Sequence, residues 1–228
     1  MSPIKAVIFD LDGCLVDSEP LSLAAIAAEM RQIGIADATA QEIGDRFLGV
    51  AMPVISDYVT RRLGRAIPAD FSLRVERRLL AAYATDLRQI DGAAALLADL
   101  QQLGLGMAIA TGGSLRRMSV TLEIAGLADW FAGTASSAEE VRNGKPAPDL
   151  FQLGLDRLQL APSDCLVLED SPHGIRGACA AGIPAIGFVG GSHLDDRKAE
   201  HAAILRNAGA VDVFETLAEV GQFVRSAG

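Results

Sequence analysis

The chain has 228 residues, half of them hydrophobic and 21% charged, with a formal net charge of −9. This composition excludes a disordered chain and supplies enough apolar side chains for a substantial core. The negative charge repels polyphosphate backbones and anionic lipid surfaces, so neither a nucleic-acid partner nor a membrane surface is expected, and any phosphate site must be made locally positive.

In chain order, the first expected element covers residues 4–9, a continuous apolar run rich in β-branched residues. It reads as a strand buried on both faces of a parallel sheet. The run is too short for a signal peptide, and no stretch of about 18 apolar residues occurs, so no membrane span is expected and the cytoplasm is the expected compartment. From about residue 18 to 88 helical periodicity persists without a strand, over 21–33, 40–47, 53–63 and 73–87. Beyond it, strands are expected over 107–110, 165–168 and 185–189. Helices are expected over 93–103, 115–125, 150–158 and 174–181, with Gly104, Gly126 and Gly182 placed as helix C-terminal glycines. Alternating strands and helices imply an α/β fold with a doubly wound, Rossmann-like parallel sheet, formed by residues 1–17 and 87–228, and an inserted helical cap over 18–86. Cys14, Cys165 and Cys179 lack CxxC spacing and read as buried small residues in a reducing compartment.

Four features carry chemistry. Asp10-Leu11-Asp12-Gly13 ends the first strand, where open α/β sheets bind ligands. Residues two apart on an extended strand point the same way, so Asp10 and Asp12 can address one ligand. Two carboxylates there are costly unless a cation or phosphate chemistry compensates them. Thr111-Gly112-Gly113-Ser114 follows the second strand and offers a hydroxyl, backbone N–H groups and the positive end of a helix dipole, though Ser114 also reads as a plain N-cap. Lys145, in Gly144-Lys145-Pro146, supplies a compact positive charge ahead of a helix start. Glu169-Asp170-Ser171 brings hard oxygen ligands suited to Mg²⁺, while Asp170 or Ser171 can equally cap the helix beginning near Pro172. Each feature is expected at the carboxyl end of a strand. No Walker lysine motif and no G-x-S-x-G elbow competes with them.

Asp10/Asp12, Thr111, Lys145 and Glu169/Asp170 resemble the four motifs of the haloacid-dehalogenase superfamily. Asp17-Ser18-Glu19, Gly144-Lys145-Pro146 and Glu169-Asp170-Ser171 are similar to its β-phosphoglucomutase and sugar-phosphate phosphatase branch. Cys14 departs from the usual Thr or Val. Ser22 and Met52 stand where the mutases carry a histidine and, nearby, an arginine for the substrate's second phosphate. The segment Leu48-Gly49-Val50-Ala51-Met52 offers no positive charge for one.

The resemblance therefore implies a Mg²⁺-dependent phosphatase of a small phosphorylated metabolite (a sugar, polyol or sugar-acid phosphate), acting as a monomer. The alternatives are a phosphomutase and a catalytically weak phosphometabolite-binding protein. It implies Asp10 as nucleophile and Asp12 as general acid and base. Thr111, the Gly112 N–H and Lys145 are expected on phosphate, and Asp10, Asp12, Glu169 and Asp170 around the metal. Arg46, Gly49 and Met52 are the candidate substrate contacts of the cap. His173 is expected to be structural and His193 to be an exposed loop residue.

Overall fold

The computed structural model describes residues 3–47, 50 and 52–227. The chain forms two compact units, Met1–Asp17 with Arg88–Gly228, and Ser18–Leu87. In the first, β1 (Ala6–Phe9), β2 (Gly106–Thr111), β3 (Ala135–Ser137), β4 (Cys165–Glu169), β5 (Ala185–Phe188) and β6 (Val213–Phe214) form one sheet of order β3-β2-β1-β4-β5-β6. Every pairing is parallel, with Ala6 opposite both Gly106 and Cys165. Helices cover both faces. The burial this imposes is visible in β1, whose four residues are all fully buried, as the unbroken apolar run requires.

The crossovers are α5 (Ala93–Gln102), α6 (Leu115–Ile124), α7 (Asp149–Leu158), α8 (Pro172–Ala180) and α9 (Lys198–Ala208), with α10 (Leu217–Ala227) closing the chain. Gly104, Gly126 and Gly182 have φ of 71°, 67° and 75°, the left-handed geometry that ends a helix without a Cβ clash. No described helix is long and apolar enough to cross a membrane.

The second unit holds α1 (Glu19–Gln32), α2 (Ala40–Phe47), α3 (Met52–Leu63) and α4 (Phe71–Asp86). Its core is Ile26, Met30, Ile43, Val59, Phe71, Leu79 and Tyr83. Glu29, buried on α1, is bound by the Arg78 guanidinium of α4 at 2.6 Å, which satisfies a carboxylate that burial would otherwise penalise.

Two strands escape the periodicity. β3 is three small residues, Ala-Ser-Ser, and β6 is two, so neither offers an apolar run to detect. β3 is held by polar bonds instead. The Arg157 guanidinium donates to Ala135 O, to Ser136 Oγ at 2.7 Å and to Glu140 Oε1 at 2.6 Å, while Glu140 accepts from Ser137 N at 2.8 Å. Cys179 also differs from expectation: Cys14 and Cys165 are buried, but Cys179 is exposed.

The Arg157 guanidinium holds the Glu140 carboxyl below its usual range, against a smaller opposing effect of burial. A depressed carboxyl stabilises the fold above its unfolded value and loses that contribution as pH falls through the folded one. Arg157→Ala should therefore lower the unfolding free energy at neutral pH by about 1–3 kcal/mol. The deficit should shrink below about pH 4, as urea denaturation across pH will show.

Candidate active site

Asp10 follows the last residue of β1, and its N–H donates to Leu168 O at 2.9 Å, so the sheet hydrogen bonding that pairs β1 with β4 fixes its backbone. Its side chain remains 9% exposed and receives Lys145 Nζ on Oδ1 at 2.5 Å. The same ammonium contacts Glu169 Oε1, and it lies 5.5 Å from the centre of the Phe151 ring. Lys145 is thus clamped between two carboxylates over an aromatic floor. Burial alone would depress its pKa, but Asp10 and Glu169 outweigh it and hold the group firmly cationic. Burial pushes both Asp10 and Glu169 upward, and Lys145 opposes that rise in each.

Lys145 reaches this position from a loop and not from a strand end. β3 stops at Ser137, and the lysine lies on the connection to α7, joined to Pro146 by a cis peptide bond. Glu169 is the fully buried final residue of β4. Its second oxygen accepts from Ser171 N at 2.8 Å, and a Cβ on Gly174 of α8 would fall 1.7 Å from Oε1. A glycine at 174 is what lets this carboxylate lie against the helix start.

Asp12 Oδ1 is paired with Arg117 Nη2 at 2.8 Å, and Thr111 Oγ1 stands 3.4 Å from Oδ2. Thr111, the last residue of β2, also accepts from Gly113 N at 3.1 Å. Gly112 is exposed with open space around it, which leaves room for an anion. Ser114 and Ser171 cap their helices, accepting from Arg117 N and Gly174 N.

Asp170 lies at the other side of Asp10. Carboxylate oxygens of Asp10 and Asp170, with Cys14 Sγ, lie within 4.8 Å of one another. Two carboxylates at this spacing suit one hard divalent cation. The thiol does not fit as a ligand of such an ion: sulfur is a soft donor and a hard divalent cation takes oxygen, while burial, then Asp170, push the Cys14 thiol up.

Sequence reasoning missed Arg117 and misplaced His193, whose side chain is 1% exposed and stands 3.3 Å from Asp170 Oδ2. The signal for Arg117 was present, since an N-cap at Ser114 sets residue 117 in the first turn of α6, at the end of the helix that faces the strand tips. His173 lies in the first turn of α8. Arg46 and Met52 belong to the second unit, where the Arg46 guanidinium lies over the Tyr58 ring at 5.6 Å; Gly49 lies outside the described residues.

A six-stranded parallel sheet presenting a buried carboxylate at the end of its first strand, beside a lysine and further acids, matches a hydrolase of the haloacid-dehalogenase type. The family model for haloacid dehalogenase-like hydrolases matches residues 4–182, and the chain belongs to that family. Hexitol phosphatase A of Escherichia coli (strain K12) is 35% identical over 80% of this chain and 82% of its own. The phosphorylated carbohydrates phosphatase of Thermotoga maritima is 30% identical over 91% and 93%. A crystal structure of a family hydrolase from Deinococcus radiodurans R1, with bound phosphate and sodium, shares 31% identity and a TM-score of 0.79, covering 100% of this chain and 98% of that one. The protein is a phosphoric monoester hydrolase.

Lys145→Met removes the cation between Asp10 and Glu169. In chelator at pH 8 the variant should lose about 3–5 kcal/mol of unfolding free energy, the cost of leaving buried carboxylates unpaired. Both carboxyls are already raised, and losing the lysine raises them further. A raised carboxyl favours folding at low pH and opposes it as pH climbs, so the deficit measured by denaturant should be smaller at pH 5.

Proposed function

We propose that this protein is a Mg²⁺-dependent phosphatase of a small phosphorylated carbohydrate, working through an aspartyl-phosphate on Asp10. The observation that carries this reading is the 2.5 Å contact of Lys145 Nζ with Asp10 Oδ1. An anionic carboxylate cannot approach a phosphate dianion unless positive charge is already in place, and the ammonium supplies part of it. Asp10, Asp170 and the main-chain carbonyl of Asp12 would hold Mg²⁺, which when bound neutralises phosphate oxygens and orients the phosphoryl group.

The chain's own groups then divide the reaction. Asp10 attacks phosphorus in line, the P–O bond to the leaving alkoxide breaks, and the phosphoryl group passes to the carboxylate. Asp12 gives a proton to the alkoxide and later takes one from the water that attacks the acyl phosphate, regenerating Asp10. Thr111 Oγ and the Gly112 N–H hold phosphate oxygens, and Glu169 fixes the lysine. The reaction belongs to the α/β unit; residues 18–86 act as the cap, with Arg46, Gly49 and Met52 as its candidates for substrate selection.

The carbohydrate assignment draws on two relatives, a hexitol phosphatase and a phosphorylated carbohydrates phosphatase. A panel of polyol, hexose, pentose and sugar-acid phosphates, assayed for released phosphate with and without Mg²⁺, should give turnover only with the metal and favour polyol or sugar phosphates. Transfer of phosphate within the substrate, with none released, would contradict a phosphatase. Asp10→Asn should abolish release, a loss of at least about 10³-fold, with the circular dichroism spectrum unchanged.

A further inference from the structure

Two histidines that the proposed reaction does not use stand against Asp170. His201, buried on α9, lies with Nε2 2.6 Å from Asp170 O, and a carbonyl can only accept, so the ring donates. His193 Nε2 lies 3.3 Å from Asp170 Oδ2, within ion-pair range, although the ring is not aligned for a hydrogen bond to that oxygen.

The position of His193 is built into the fold. It lies in the turn after β5, where Val189 N donates to Phe214 O at 2.9 Å and Ser192 N donates to Asp17 Oδ1 at 3.2 Å. Two glycines make room for its ring: a Cβ on Gly191 would fall 2.6 Å from His193 Cε1, and one on Gly13 would fall 3.1 Å from it. The same Cβ on Gly13 would fall 2.0 Å from Asp170 Oδ2. Gly13, in the turn that carries Asp10 and Asp12, therefore admits both the imidazole and the carboxylate. A buried histidine threaded between two glycines onto an acid is more than a loop residue folded inward.

From this geometry we infer that His193 is a positioning residue for the cation site: it orients the Asp170 carboxylate toward Asp10 and thereby sets the affinity for the divalent metal. This rests on the reading of Asp170 as a metal ligand given above. The physical reason is pre-organisation. Asp10 and Asp170 repel one another when no cation lies between them, and an Asp170 free to turn away must be brought back on every binding event. The His193 ring, packed against Gly13 and Gly191 with Nε2 3.3 Å from Oδ2, limits the rotation of the carboxylate and turns a nitrogen toward it. Mg²⁺ prefers oxygen, so the imidazole serves beside the ligand and does not replace it.

The test is direct binding of Mn²⁺ alone, followed by electron paramagnetic resonance on the whole chain at pH 8, with melting of the metal-free protein as the folding control. Wild type, Asp170→Asn, His193→Ala and His193→Gln are compared. Glutamine presents an N–H close to the Nε2 position, so it keeps the interaction if the alanine variant folds poorly. His193→Ala should weaken binding by about 10–100-fold, the effect expected of an outer partner of a metal ligand, and His193→Gln should restore most of it. In assays, the Mg²⁺ concentration for half-maximal rate should rise by the same factor while kcat at saturating Mg²⁺ holds.

Binding by His193→Gln and every folded alanine variant within about twofold of wild type would overturn the inference while leaving the metal site intact. Loss of affinity in His193→Gln equal to that in His193→Ala would also overturn it, since the nitrogen facing Oδ2 would then be irrelevant. Unchanged binding in Asp170→Asn would remove the metal reading itself, and this inference with it.

Discussion

The ammonium of Lys145, held between the carboxylates of Asp10 and Glu169, is the interaction on which the rest of the site depends. Asp10, Asp12, Glu169 and Asp170 converge on one end of the sheet, and burial makes each bare negative charge expensive there. Within this group, Lys145 answers Asp10 and Glu169, and Arg117 answers Asp12. The two cations are not equivalent. Lys145 sits on Asp10, the proposed nucleophile, where a compact charge would neutralise an incoming phosphate oxygen, whereas the guanidinium of Arg117 braces Asp12.

The sheet order explains why these groups meet. β1 is central, with β2 and β4 as its neighbours, so residues ending these three strands share one rim. Asp10, Thr111 and Asp170 arrive there through the ladder itself, with register fixed by Phe9 opposite Ile109 and Leu168. A register slip of one residue in β4 would turn Glu169 away from Lys145. The glycines complete the arrangement where side chains must pass closely, Gly174 beneath Glu169 and Gly13 beside Asp170.

Much of this was legible in the sequence because buried parallel strands announce themselves as apolar runs, and chemistry sits where such runs end. Asp10, Asp12, Thr111, Glu169 and Asp170 were found by that rule. Lys145 was expected at a strand end like the others but comes from a loop; what the sequence did show was its place just before a helix. β3 and β6 were hidden because strands of three and two residues leave no periodic trace; β3 is held by side-chain hydrogen bonds as well as by its ladder. His193 was misjudged for a different reason. Its burial depends on space left by Gly13 and Gly191, which are neighbours of the ring only after folding. Local polarity and turn chemistry read the loop correctly as a loop but say nothing about what the loop covers.

The central claim is that Asp10 carries the phosphoryl group during turnover. It is tested most directly by rapidly quenching the enzyme with Mg²⁺ and a reactive phosphate ester in acid, then sequencing its peptides by mass spectrometry. The account predicts one phosphoryl group on the peptide containing Asp10, absent from Asp10→Asn and removed by hydroxylamine, as an acyl phosphate requires. A phosphoryl group on any other residue, or turnover by an Asp10→Asn preparation free of contaminating phosphatase, would contradict it.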